Sequence, residues 1–269
     1  MDLKLKGKVV LITGANNPYG IGAATAYKFA EEGSKIAIVY KKIARKYSFE
    51  NTVENGLDKY FKFSSEDASS VEKVLCKITD DYFIVEKDIT NENAIEDIFD
   101  EIENKFGTVN VLVNNAAAGD EYGQDNIYSI TEDIIDDTFS VNVRATILMI
   151  REFVKRNSNY GRIINLSTDA SQRFAGQIAY GASKATIEAL TRSIAIEIGK
   201  KGITINTVSP GPTQTGYIDK ELEQRVIPDI PLGRIGKPDD IANTIIFLAS
   251  EQASWITGQT IQVSGGHYI

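Results

Sequence analysis

Short runs of β-branched and apolar residues alternate along this chain with longer stretches in which apolar positions recur at helical spacing. Val9 to Thr13 reads as a strand, about Gly20 to Glu32 as a helix, and Lys35 to Tyr40 as a second strand. Further strands are predicted at Tyr82 to Val85, Val109 to Val113, Arg162 to Leu166, Thr204 to Val208 and Thr260 to Val263, with helices near 91–105, 131–156, 180–200 and 238–250. The strands are apolar almost throughout, as strands covered on both faces are. The pattern therefore predicts an α/β fold: a doubly wound parallel sheet of about seven strands, with helices on both faces and right-handed crossovers. No repeat, low-complexity tract or Pro-rich linker divides the chain, so residues 1–269 are expected to form one domain.

The rhythm fails between the second and third strands. The interval 43–81 is long and charged, carries Tyr47, Tyr60, Phe61 and Phe63, and shows a helical pattern around Ser69 to Ile78. It reads as an elaborated connection whose residues assign it no function.

Composition narrows the class. At 269 residues, 42% hydrophobic and 25% charged, the chain is long enough to bury a large core and is neither disordered nor fibrous. A net charge of -8 disfavours a nucleic-acid surface, which needs a basic face. A single cysteine, Cys76, and a single histidine, His267, exclude an intrachain disulfide and a zinc-like ligand cluster, so no metal is expected and Cys76 reads as a small helix residue. The apolar run Val9 to Ile12 near the start is too short for a signal peptide or a membrane span; a cytoplasmic protein with no membrane partner is expected.

Directly after the first strand come Thr13-Gly14-Ala15-Asn16-Asn17-Pro18-Tyr19-Gly20-Ile21-Gly22 and then a helical run. Glycines at a strand-to-helix turn let backbone amides approach a pyrophosphate seated on the positive helix end. The loop thus reads as the phosphate turn of a Rossmann-type dinucleotide unit rather than as a plain tight turn. The second strand ends in Tyr40-Lys41-Lys42, where an NAD-binding unit places an acid for the ribose 2′-hydroxyl. Tyr40 takes that position and two cations follow. NADP(H) is therefore expected in preference to NAD(H), the alternative being that the lysines are a solvated strand end. Asp88, in Lys87-Asp88-Ile89-Thr90, reads as an acceptor for the adenine amino group or as a helix N-cap near Thr90.

The fourth strand ends in Asn114-Asn115-Ala116-Ala117-Ala118-Gly119, small residues that let a cofactor lie close to the backbone. Asn142 sits in an apolar helix pattern, where a buried amide needs a partner, either a structural hydrogen bond or a water. Tyr180 and Lys184 stand four positions apart and share a helix face. An ammonium beside a phenol favours the phenolate and brings its pKa from ~10 toward neutrality, which would suit proton transfer. Chance supplies about one such spacing in a chain with this much Tyr and Lys, so the pair alone reads equally as a surface Tyr beside a solvated Lys. Ser167 stands thirteen residues before Tyr180, at the end of the fifth strand.

Taken in order, the Thr13 to Gly22 loop, Asn114-Asn115-Ala116, Asn142, Ser167, Tyr180-x3-Lys184 and Pro210-Gly211 resemble the short-chain dehydrogenase/reductase superfamily, classical type, from residue 6 to the end. The segments Pro231 to Pro238 and Thr257 to Gly266 are similar to that family as well. The resemblance implies that Tyr180 transfers a proton, Ser167 hydrogen-bonds the substrate oxygen, Lys184 lowers the Tyr180 pKa and holds the nicotinamide ribose, and Asn142 holds a relay water. It implies cofactor contacts at Gly14, Asn16, Tyr19, Gly20, Ile21, Tyr40, Lys41, Asp88, Ile89, Asn115, Ala116, Pro210, Gly211, Pro212 and Thr213. An ordinary Pro-Gly turn is the other reading of Pro210-Gly211. The implied activity is hydride transfer between NADP(H) and a small carbonyl or secondary alcohol, by a homo-oligomer, tetramer or dimer, packed on the helices near 131–156 and 180–200 and on the last strand. A cofactor-sensing regulator without turnover, and a sugar-nucleotide epimerase on an extended version of the fold, are the alternatives. The substrate pocket is expected along Arg173 and Phe174, Ala118 to Tyr122, and Gly216 to Ile227, with Arg173 also readable as a solvated loop residue.

Two departures from the family pattern stand out. Five residues separate Gly14 from Gly20, where the commonest family form has three, so the phosphate loop must bulge. Counting back from Tyr180 selects Ser167 as the substrate-binding hydroxyl, whereas counting on from Asn165 selects Thr168, a donor of the same type.

Overall fold

In a computed structural model of the chain, which describes residues 2–43, 54–118, 125–158 and 160–268, β1 (Val9–Thr13) is buried along its whole length. The same holds for β4 (Val111–Asn114), β5 (Gly161–Leu166) and β6 (Ile203–Pro210). Their apolar character follows from their place. Together with β2 (Lys35–Tyr40), β3 (Tyr82–Glu86) and β7 (Thr260–Val263) they form one parallel sheet in the order β3-β2-β1-β4-β5-β6-β7.

Alternate residues of each strand face opposite layers. Val10 and Ile12 of β1 join a core under α1 (Ile21–Glu31), α3 (Ser69–Leu75) and α9 (Pro238–Ala249), anchored by Phe29 and Leu75. Val9 and Leu11 join the opposite core under α4 (Ala94–Phe106), α6 (Thr146–Arg156) and α7 (Ile178–Ile198), anchored by Phe99 and Phe153. These three phenylalanines are fully buried, and truncating any one to Ala is expected to cost about 3–5 kcal/mol. The strand order reverses between β1 and β4, which opens a crevice at their carboxyl ends, the place where open α/β sheets bind ligands.

The seven predicted strands all form, three of them with the predicted bounds. Three helical readings change. The single helix expected over 131–156 is α5 (Glu132–Phe139), a π-helical turn (Ser140–Ala145) and α6. Within the long β2 to β3 connection, α2 (Leu57–Ser65) precedes α3 and was not anticipated; Tyr47 of that interval lies outside the described residues. A short α8 (Lys220–Val226) follows β6 in the segment read only as pocket lining.

Candidate active site

The loop after β1 turns at Gly14, whose φ is +69°; a Cβ there would sit 2.6 Å from Ala116 Cα. The residues after β4 clamp this turn. Asn115 Nδ2 donates to the carbonyls of Thr13 (2.9 Å) and Gly14 (2.8 Å), while the Asn115 and Ala116 N–H groups donate to Thr13 Oγ1 at 3.1 and 3.0 Å. Gly20 is the N-cap of α1, with no side-chain cap and no acid in the first turn. Starting at Ile21, the helix therefore turns its amides and its positive end toward the crevice without a carboxylate to neutralise them, an arrangement that fits a cofactor diphosphate. Asn16 and Tyr19 turn elsewhere. The buried Asn16 amide donates to the carbonyls of Phe63, Ser64 and Glu66 at 3.4, 3.3 and 3.0 Å, and the Tyr19 ring meets Phe63 edge-on at 5.1 Å. The amide protons of Asn16 are thus committed to the end of α2.

At the far end of the crevice, Lys41 Nζ lies 2.6 Å from Asp88 Oδ2, and Lys42 Nζ lies 3.0 Å from Glu86. Asp88 Oδ1 accepts from the Thr90 N–H and hydroxyl at 2.9 and 2.7 Å. Burial opposes ionisation of Asp88, but Lys41 and Thr90 hold its carboxyl below the usual carboxylate range. The predicted adenine acceptor and a predicted phosphate cation thus pair with each other, and the N-cap of α4 is Asn93 rather than a residue near Thr90. Tyr40 is buried, with the Ala68 N–H bonded to its hydroxyl, and Ile89 packs into the core.

Tyr180 and Lys184 lie in the first turns of α7, whose N-terminus is capped by Asp125: its carboxylate accepts from the N–H groups of Ala179 (2.6 Å) and Tyr180 (2.9 Å). Lys184 is buried and donates to the Leu166 carbonyl at 2.8 Å, with Nζ 5.7 Å from the Tyr180 ring centroid. Desolvation lowers the Lys184 pKa to about 8. The Tyr180 hydroxyl has no hydrogen-bond partner among the described residues. Burial, assisted by Tyr60 and Asp169, pushes its pKa above the ordinary phenol value. This corrects the expectation that Lys184 brings the phenol down: with the ammonium turned to Leu166, desolvation wins.

Asn142 lies in the π-helical turn, a local irregularity that is frequent at functional sites. Its amide donates to the Ala118 carbonyl and Ser183 Oγ, both at 2.9 Å, and its Oδ1 accepts from the Ala118 N–H at 2.8 Å. The buried Ser167 hydroxyl donates to Glu188 Oε1 at 2.7 Å, and Ser171 donates to the same oxygen at 2.6 Å. Thr168 remains partly exposed and accepts from the Ala170 N–H at 3.3 Å. The adjoining Asp169 is buried 2.6 Å from His267 Nδ1, and desolvation raises its carboxyl above the usual range against the pull of His267, Ala170 and Thr168.

After β6, which ends at Pro210, Gly211 passes so close to this pair that a Cβ would lie 2.7 Å from Ser264 and 3.0 Å from Asp169 Oδ2. The Pro212 carbonyl and Thr213 brace this segment against Gly236. Of the expected pocket, Arg173 stacks over Tyr268 at 4.5 Å and Phe174 packs on Gly181, while residues 119–122 lie outside the described residues.

A family model described as Enoyl-(Acyl carrier protein) reductase matches residues 54–268. The chain is 34% identical to an uncharacterized oxidoreductase, YjdA, of Bacillus subtilis over 96% of each chain. It is 33% identical to 3-oxoacyl-[acyl-carrier-protein] reductase FabG of Staphylococcus aureus, covering 97% of this chain and 98% of the relative.

The chain belongs to the short-chain dehydrogenase/reductase superfamily, classical type.

A solved short-chain dehydrogenase/reductase from Serratia marcescens superposes with a TM-score of 0.81 at 26% identity, over 98% of this chain and 99% of that one. The protein is thus an NAD(P)-dependent oxidoreductase on a Rossmann-type sheet, and no described helix is long and apolar enough to cross a membrane. Within this superfamily site, several participants had no sequence signal. Asp125 and His267 reach the site across long stretches of chain, while Glu188, one turn beyond Lys184, carries no motif of its own. The apolar helix pattern hid the π turn that carries Asn142.

Proposed function

We propose that this chain is an NADP(H)-dependent carbonyl reductase or alcohol dehydrogenase in which Tyr180 is the general acid. The observation that carries the reading is the Tyr180 hydroxyl, without a hydrogen-bond partner among the described residues, on the same face of α7 as a buried ammonium, Lys184. Bound NADP(H) supplies or accepts a hydride at the nicotinamide; everything else falls to the residues already described. Tyr180 donates its proton to the oxygen of the substrate carbonyl. Burial keeps it as the neutral phenol, the form that a proton donor needs. The second donor to that oxygen is Thr168, because Ser167 already gives its proton to Glu188. Two hydroxyls then face the charge as it develops.

Lys184 spends one N–H on Leu166 and keeps two for the nicotinamide ribose. Asn142 uses both amide protons on protein acceptors, so a relay water is left to its carbonyl oxygens. The diphosphate is held by the backbone from Gly14 to Ile21, and Asn115, Ala116 and Pro210 to Thr213 line the nicotinamide half. The preference for NADP(H) is supported by Tyr40 standing where an acid would grip a ribose 2′-hydroxyl, with Lys41 and Lys42 beyond it. The Lys42–Glu86 pair is exposed on both sides, where an ion pair is weak and exchanges easily for a phosphate, and the Lys41 ammonium is exposed although its partner Asp88 is not.

A 3-oxoacyl thioester is among the candidate substrates, since the Staphylococcus aureus relative is named for that reaction. A cytoplasmic homo-oligomer is part of the same reading; Ile135, Ile147 and Ile196 on α5, α6 and α7 and the 98% exposed Trp255 offer apolar surface for a second copy. The test is to follow NADPH oxidation with a panel of ketones and 3-oxoacyl thioesters. Turnover is expected with at least one, and tight NADPH binding without turnover on any would overturn the enzymatic reading.

A further inference from the structure

One of the two departures from the family pattern meets, in space, the segment that interrupts the strand-helix rhythm. The bulge in the phosphate loop and the long β2 to β3 connection are joined by α2. Carbonyls in the last turn of a helix lack intrahelical partners, and Asn16 of the bulge supplies one by donating to Phe63, Ser64 and Glu66. Tyr19, also in the bulge, is held between the Phe63 ring at 5.1 Å and Lys59 Nζ, 4.0 Å above its ring.

The other side of α2 rests on the segment after β6. Gly56 N–H donates to the Gly216 carbonyl at 2.8 Å, and the rings of Tyr60 and Tyr217 meet edge-on at 5.8 Å. Below this contact, Asn17 Nδ2 donates to the Thr215 carbonyl at 3.1 Å. The helix therefore spans from the loop that would hold the diphosphate to the segment that would flank the nicotinamide. Tyr60 comes close enough to Tyr180 to bear on its ionisation.

We infer that α2 is a clasp built into the cofactor site: it closes across the crevice from the phosphate loop to Gly216 and Tyr217, and a dinucleotide enters or leaves only when it lifts. This rests on the dinucleotide reading above. It gives a purpose to the loop bulge and to the long β2 to β3 connection, since residues of the bulge hold the helix.

The experiment locks the clasp. A Cβ built at Gly56 lies 3.7 Å from Asp219 Cβ, within the spacing of about 3.5–4.5 Å that a disulfide spans. The variant Gly56→Cys/Asp219→Cys, in a Cys76→Ser background, is compared with itself oxidised and reduced. Any strain at Gly56, and the loss of the bond by which the Asp219 carboxylate accepts from the Leu222 N–H at the start of α8, are then common to both states. NADPH association and release are read by nicotinamide fluorescence, without substrate.

Oxidation is expected to slow binding to the free protein, and release from protein loaded beforehand, by about ten-fold or more, with both rates restored by dithiothreitol. Rates that stay within about two-fold on oxidation would overturn the clasp while leaving the dinucleotide reading intact. If the disulfide variant does not fold, Phe63→Ala serves instead: about ten-fold faster NADPH release at an unchanged melting temperature is expected, and unchanged release overturns the clasp. Wild-type protein that binds no NADPH would overturn the dinucleotide reading, and the clasp with it.

Discussion

The Ser167 hydroxyl donates to Glu188 Oε1 at 2.7 Å. One turn of α7 separates Glu188 from Lys184, so the bond ties the end of β5 to the helix that carries the proposed acid. Thr168→Val is therefore expected to lower kcat by about a hundred-fold, the usual loss when one donor to a developing oxyanion is removed. Ser167→Ala is expected to keep kcat within about three-fold and to lower stability by about 1–2 kcal/mol, because Glu188 retains Ser171. Steady-state kinetics and urea unfolding on both variants decide the matter. The opposite pattern would return Ser167 to the substrate oxygen.

Lys184 gives the protein a pH signature. Its pKa is about 8 when folded and 10.5 when exposed, so between those values the unfolded chain binds the proton more tightly. Stability from this group is lost below the folded pKa and rises as pH passes through it. The stability difference between wild type and Lys184→Met is expected to grow in favour of wild type by about 2 kcal/mol from about pH 7.5 to about pH 9.5. A difference that stays flat in urea titrations over that window would mean that Lys184 is not desolvated.

How much of this was legible in the sequence depends on how local each feature is. The bounds of β1 and β2 are legible because strands buried on both faces are apolar almost throughout, and those of β7, which is only partly buried, because Ile261 and Val263 alternate with polar residues. Tyr180 and Lys184 were legible because one helix carries both. The π turn was not, since it leaves the apolar pattern of α5 and α6 intact. The helix α2 escaped notice for a related reason: Asn16, Tyr19 and Tyr217, residues remote in sequence, hold it in place. The choice between Ser167 and Thr168 is open in the sequence because both counts fit, and the proposal for Thr168 rests on the bond from Ser167 to Glu188.

Asp169 and His267 are 98 residues apart in sequence and both buried, and their 2.6 Å contact fixes the C-terminal segment against the loop after β5. His267→Ala leaves a buried carboxyl short of a partner, and a loss of about 2 kcal/mol in urea unfolding is expected. Asp169→Asn keeps a hydrogen-bonding group of the same shape and is expected to lose less. A His267→Ala protein as stable as wild type would show that the contact contributes nothing.

Lys41 is expected to distinguish the two nicotinamide cofactors. Lys41→Ala is predicted to raise the KM for NADPH by about ten-fold and to leave that for NADH within about two-fold, since only NADPH carries the 2′-phosphate. Wild type should turn over faster with NADPH than with NADH at equal concentration. Equal effects on both cofactors would place Lys41 outside the 2′ site.

The central claim is that Tyr180 supplies the proton. The most direct measurement compares Tyr180→Phe with wild type in NADPH-linked reduction of the best substrate from the panel, with NADPH affinity measured on both proteins. The prediction is a fall in kcat of about a thousand-fold with a cofactor Kd within about two-fold of wild type. A Tyr180→Phe protein that keeps full activity would contradict it.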